Sequence, residues 1–238
     1  MKKMSLAVGV SVLTLGVSLA GCSATQSETA KTETAKTETA AETSAEAGAA
    51  TSSSGLAVPD LPTGPNKTIA DYVAENKIVE SAVTQGEPGS PTFNFAMPPD
   101  WKAAGPRKPE WAYGAIIYDK AEDPADPPFI TAIVSKLTGD VEAAKVLEYA
   151  PGMLQNLPGY EQDGEVEKIK LGDFDAIQFQ GSYLQENVRR YIAQETVVIP
   201  GKDGALFVLQ LNADAPEGQQ QVVLDAAKVL NADSTVTF

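Results

Sequence analysis

No histidine occurs among the 238 residues, and cysteine occurs once. Without an imidazole there is no Ser-His-Asp or Cys-His pairing and no histidine metal ligand. With a single thiol there is no disulfide within the chain. Basic residues are also scarce: 18 Lys and Arg stand against 32 Asp and Glu, for a net charge of −14. A nucleic-acid partner needs a basic face, and this chain has none to offer. No G-x-S-x-G occurs, and no S-x-x-K occurs in residues 67–238. Large apolar and aromatic residues are missing from Ser23 to Gly55, and a long uncharged apolar run occurs only from Met4 to Ala20.

That run and the lone cysteine belong together. Met1-Lys2-Lys3, an apolar stretch of about 17 residues and small residues at its end have the layout of a secretory signal peptide. Leu19-Ala20-Gly21-Cys22 resembles the bacterial lipobox. The resemblance implies that the Cys22 thiol accepts a diacylglyceryl group, that residues 1–21 are removed, and that the new terminal amine can be acylated. Two or three acyl chains anchor stably where one does not. Removal of Lys2 and Lys3 leaves 16 basic and 32 acidic residues, a net charge of −16. Anionic headgroups would repel such a chain, so the acyl anchor has to hold it near the membrane.

After Cys22 the unit ETAKT occurs at 28–32 and again at 33–37, then decays. A five-residue period matches neither helix nor strand. With no apolar surface to bury, residues 22–66 are expected to stay disordered. At 5–6 Å times the square root of length, the 44 residues 23–66 span about 35 Å as a flexible coil. The segment reads as a tether, stiffened at its end by Pro59, Pro62 and Pro65.

Residues 67–238 are long enough for one domain with a substantial core. Thr68 with Asp71 at N3 predicts a helix N-cap, with the helix running to about Lys77. Strands are expected around Val79–Val83, Phe93–Met97, Tyr113–Tyr118, Phe129–Leu137, Val166–Leu171, Ala176–Leu184, Val188–Ile199 and Leu206–Leu211. Asp140 is expected to cap a helix from Val141, interrupted at Pro151-Gly152. Pro200-Gly201-Lys202-Asp203-Gly204 signals a hairpin. A last helix is expected from Pro216, with Val222, Val223, Ala226, Val229 and Leu230 on one face. Consecutive strands with short turns imply a mostly antiparallel sheet flanked by helices, an α+β domain.

Five stretches carry a resemblance: TIADYVAEN (68–76), GEPGSPTFNFAMPPDW (86–101), PEWAYGAIIY (109–118), SKLTGDVEAAKVLEYAPGMLQNLPGY (135–160) and QETVVIPGKDGALFVLQLNAD (194–214). With the lipobox they resemble the mycobacterial lipoproteins of the LpqN/LpqT type. The resemblance implies a PsbP-like fold, with a strand entering the turn Pro98-Pro99-Asp100-Trp101. It implies an envelope-associated, non-enzymatic protein that helps to handle or transport envelope lipids or glycolipids, in company with membrane export proteins. The alternative is a protein-interaction module that scaffolds a membrane complex or contacts a host factor.

Trp101, Trp111, Tyr113 and Tyr118 fall within 18 residues around a proline-rich stretch. Such rings stack on sugars and pack against acyl chains, and they also fill cores. Trp101, Trp111 and Tyr113 are therefore the candidate ligand-binding residues. Asp173 and Asp175, and Asp123 and Asp126, read as solvated loop acids rather than a catalytic pair. Asp119, Glu122, Asp123 and Asp126 lack the glycine turn of a calcium loop. Arg189-Arg190 reads as surface charge balanced by nearby acids, or as a partner for an anionic group. No cofactor or metal is expected.

Overall fold

The computed structural model describes residues 62–238. The signal peptide, Cys22 and all but the last residues of the expected tether lie outside the described residues. The elements run in the order α1 (Ile69–Glu75), β1 (Val79–Ala82), β2 (Thr92–Asn94), β3 (Trp101–Ala103), β4 (Gly114–Tyr118), β5 (Phe129–Thr138), α2 (Ala143–Tyr149), α3 (Gly152–Gln155), β6 (Glu161–Gln162), β7 (Glu167–Leu171), β8 (Phe174–Gln185), β9 (Val188–Pro200), β10 (Leu206–Pro216), α4 (Gln220–Asp233) and β11 (Thr235–Thr237).

One antiparallel sheet dominates, in the order β3-β4-β5-β10-β9-β8-β6. β1 and β4 share one edge of β5: β1 lies against Ser135–Thr138 and β4 against Phe129–Ala132. β7 lies along β8. A two-stranded sheet of β2 and β11 stands apart. Because side chains alternate along a strand, parity assigns each residue to a face. On the first face Leu137, Val198, Leu206 and Val208 pack under α1 and α2, and Ile177 and Phe179 under α3. On the second face Val197, Ile199, Phe207 and Leu209 pack near Phe93 and Val236 of the small sheet. Ala193, Ala213 and Ala215 leave room there for α4, which seats Val223, Ala226 and Leu230 on them.

The capping box is complete. Thr68 Oγ1 accepts from Asp71 N at 3.1 Å, and Asp71 Oδ2 accepts from Thr68 N at 2.8 Å. The Thr68 N–H, and then the Thr68 hydroxyl donating to Oδ2 at 2.7 Å, hold the Asp71 carboxyl below the usual carboxylate range. Tyr72 is the buried residue of α1, and its hydroxyl accepts from Glu142 N at 3.0 Å, tying α1 to the start of α2.

Three local expectations differ from the structure. Asp140 does not cap a helix. Val141 N instead bonds to Gly139 O at 3.1 Å, and α2 starts two residues later behind Glu142. Pro216 does not open α4. It ends β10 opposite Arg190, and a turn through Gly218 at φ 86° precedes the helix. The strand expected over Phe93–Met97 stops at Asn94, because Ala96 N donates to Ser234 Oγ at the end of α4 rather than to a ladder.

The chain already packs against the domain at Gly64, where a Cβ would lie 2.3 Å from Asn156 Oδ1. Asn66 N and Nδ2 both donate to Asn156 Oδ1 at 3.1 Å, and Asn156 Nδ2 donates back to Asn66 O at 2.8 Å. Gly152 allows this approach: a Cβ there would lie 2.0 Å from Lys67 O.

Candidate functional site

α4 lies across the second face of the sheet and leaves an open cleft on each side. Between α4 and the segment Phe95–Met97 is a cleft of about 180 Å³. Phe95, Met97, Ile116, Ile130, Leu211 and Leu230 supply its apolar lining, with Gln85 the polar side chain at its wall. Met97 is 52% exposed, a large apolar side chain standing in solvent at this mouth. Between α4 and β7–β8 is a larger cleft of about 640 Å³, walled by Gln178, Gln180, Lys228 and Asn231 with Ile169 and Leu224. Consecutive residues of α4 thus serve opposite clefts: Leu230 the apolar one, Asn231 the polar one.

The aromatic residues are placed separately. Trp101 is buried beside Tyr118, its cross-strand partner, with ring centroids 5.8 Å apart. It belongs to the cluster beneath α4. Tyr113 is buried in the neighbouring cluster, edge-on to Phe93 at 5.4 Å and to Phe95 at 6.4 Å. Trp111 is half-buried in the loop before β4. Trp101, Trp111 and Tyr113 do not form one stacking platform. Phe95 links the clusters of Trp101 and Tyr113, since it packs on both, and it also lines the apolar cleft. The alternation of Phe93, Phe95 and Met97 was the sequence signal for it.

The loop acids are engaged. Asp123 Oδ1 accepts from Ala125 N at 2.8 Å. Asp126 holds Arg190 with both carboxylate oxygens, at 2.6 and 3.0 Å. Arg190 Nε also donates to Asp214 Oδ1 at 2.8 Å, and the Tyr183 hydroxyl donates to Asp214 Oδ2 at 2.8 Å. Burial would lower the Arg190 pKa, but these bonds outweigh it and raise it. Burial, and then the Asp214 charge, push the Tyr183 hydroxyl up. Asp175 pairs with Lys170 in solvent.

Glu195 is a residue that sequence reading did not single out. It is 4% exposed on the second face of β9, beneath α4. Asn231 Nδ2 donates to its Oε2 at 3.1 Å. Burial pushes its carboxyl up to about 7. The parity of Ala193, Glu195, Val197 and Ile199 placed it inward, and that was the available signal.

Among the described residues no group of three or more His, Cys, Asp or Glu is arranged to hold a metal ion. A helix-flanked, mostly antiparallel sheet with open clefts beside one helix defines an α+β domain. The chain belongs to the LpqN lipoprotein family: residues 65–237 match the family profile described as "Probable lipoprotein LpqN". Lipoprotein LpqN of Mycobacterium tuberculosis (strain ATCC 25618 / H37Rv) is 49% identical over 174 residues, which is 73% of this chain and 75% of that protein. The crystal structure of LpqN from M. tuberculosis, described as involved in cell envelope biogenesis, superposes with a TM-score of 0.69 at 49% identity. The match covers 74% of this chain and all of that one.

Proposed function

We propose that this chain is a membrane-anchored envelope lipoprotein, lipidated at Cys22, that binds an acyl-bearing envelope lipid or glycolipid without chemically altering it. The apolar cleft between α4 and Phe95–Met97 carries this reading. Its volume of about 180 Å³ equals roughly six water-sized groups, so it holds a short length of chain. Burying about 200 Å² of acyl surface contributes about 5 kcal/mol, offset by association costs. A single chain then binds no more tightly than about 0.2 mM. Tethering compensates, because a domain on a flexible linker meets its membrane at an effective concentration in the millimolar range. The polar cleft on the other side of α4 offers amide groups to a headgroup. Involvement in cell envelope biogenesis, as described for the M. tuberculosis relative, fits an accessory role beside export proteins.

The test is a titration of the full chain with alkyl glycosides of increasing chain length, followed by tryptophan fluorescence. Trp101 sits in the cluster next to the cleft. The reading requires a chain-length-dependent change that Met97→Asp removes while the fold persists. No change across the series, or an unchanged response in Met97→Asp, overturns it.

A protein-interaction role is the second reading. β1 supports it: all four of its residues are exposed on a sheet edge, with Val79 64% exposed. Such an edge can accept another strand. Binding of a protein partner that survives Met97→Asp and fails in Glu80→Pro, whose N–H points to the free edge, favours this role.

A further inference from the structure

Two buried oxygens beneath α4 have no protein partner: Glu195 Oε1 and Asn231 Oδ1. Their sister atoms are bonded to each other, Asn231 Nδ2 to Glu195 Oε2 at 3.1 Å. A buried acceptor without a donor is costly, and two on one bonded pair of side chains are more so. One proton resolves both. A carboxylic acid facing a primary amide forms a closed ring in which the amide N–H donates to one carboxyl oxygen and the acid O–H donates to the amide oxygen. The N–H half of that ring is present, and the two oxygens of the other half are the ones left over.

We propose that Glu195 and Asn231 form a proton-dependent latch: the neutral acid closes a two-bond ring that fastens the last turn of α4 to the sheet, and loss of the proton opens it. Ionisation removes the only donor between the two leftover oxygens and leaves a buried carboxylate with no compensating charge. Its neighbours on the adjacent strands are Gln178 on β8 and Leu211 on β10, and neither is charged. The charged side chains walling the adjoining cleft are Asp163, Glu165 and Glu167, with Lys170 on β7 and Lys228 on α4. Lys170 pairs with Asp175 and Lys228 with Asp225, so neither compensates Glu195. Burial is the cause that raises this carboxyl from 4.5 to about 7. The latch therefore operates around neutral pH.

The latch has reach because of where Asn231 sits. Its neighbour Leu230 lines the apolar cleft and Asn231 itself lines the polar one. Release of this turn changes both walls at once, so whatever occupies either cleft is held more firmly in mildly acid medium. The latch rests on the buried Glu195–Asn231 pair and stands whether or not the ligand is a lipid.

The sign follows from proton counting. Between pH 4.5 and 7 the folded chain keeps a proton that the unfolded chain has lost. Stability therefore falls as pH rises through that window and levels off above it, and the full span is about 300-fold in the folding equilibrium. Glu195→Gln keeps the ring as an amide–amide pair that does not titrate. The experiment measures urea unfolding of the full chain from pH 4.5 to 8.5 for wild type and Glu195→Gln, with carbon-13 carboxyl NMR of Glu195 in the wild type. A Glu195 midpoint near 7, and a wild-type pH loss that Glu195→Gln lacks, establish the latch. A midpoint near 4.5, or equal pH dependence in the two proteins, overturns it. The NMR titration decides even if the variant folds poorly.

Discussion

Arg190 grips Asp126 with both terminal nitrogens, at 2.6 and 3.0 Å, across 64 residues of sequence. The bond fastens the proline-rich loop after β4 to the start of β9, and Asp214 at the end of β10 shares the same guanidinium. The fork geometry of arginine is what permits two carboxylates at once.

Removing that fork should be costly in proportion to burial. The Arg190 side chain is 11% exposed, while Asp126 is half-exposed. Arg190→Ala strands Asp214 and Tyr183 and is expected to lose about 3 kcal/mol. Asp126→Ala frees only the loop and is expected to lose about 1 kcal/mol. Arg190→Lys is expected to lie between them. Urea midpoints of the three variants check the ranking, with m-values unchanged.

Cys22→Ala is expected to abolish fatty-acid labelling and to shift the chain out of the membrane fraction. Cell fractionation with a fatty-acid probe reads both. Retained labelling in the variant would place the acyl group elsewhere.

Gly152→Ala is expected to unseat the entry of the domain. A methyl group there meets the backbone oxygen of Lys67 at 2.0 Å, and a backbone atom cannot swing aside as a flexible side chain can. A loss of about 2–3 kcal/mol follows, with increased proteolysis at residues 62–67. Gly86→Ala is the control, because a Cβ there meets nothing within 4 Å. Its cost is limited to the backbone strain of φ 78°.

Leu209 is wholly buried at the middle of β10. Leu209→Ala is expected to lose about 2–5 kcal/mol, depending on how far the surrounding layer collapses. Calorimetric melting of wild type and variant measures it.

The long strands were legible because their signals are local. Phe129–Thr138, Phe174–Gln185 and Val188–Pro200 alternate or run apolar for most of their length, and the glycine-rich turn after Pro200 joins β9 to β10. The capping box of α1 was legible for the same reason. β3, β6 and β11 were not, because two or three residues carry no period and exist only where a partner strand supplies bonds. Pro216 misled as a helix opener. The alternation Leu211, Ala213, Ala215 continues the strand through it, and that was the stronger signal. At the site, Phe95 and Met97 stood in a recognisable pattern. The Glu195–Asn231 pair did not, since its members are 36 residues apart and meet only once the register of β9 and the docking of α4 are set.

The Asn66–Asn156 clasp lies on the face of the sheet covered by α1, α2 and α3, while α4 and both of its clefts occupy the other face. Mechanical load arriving along the backbone at Asn66 is therefore borne by α3 and the sheet behind it. It does not pass through α4, so strain on the chain neither pries the clefts open nor clamps them shut. The cleft-bearing face is thus the one turned away from the point where the chain enters the domain.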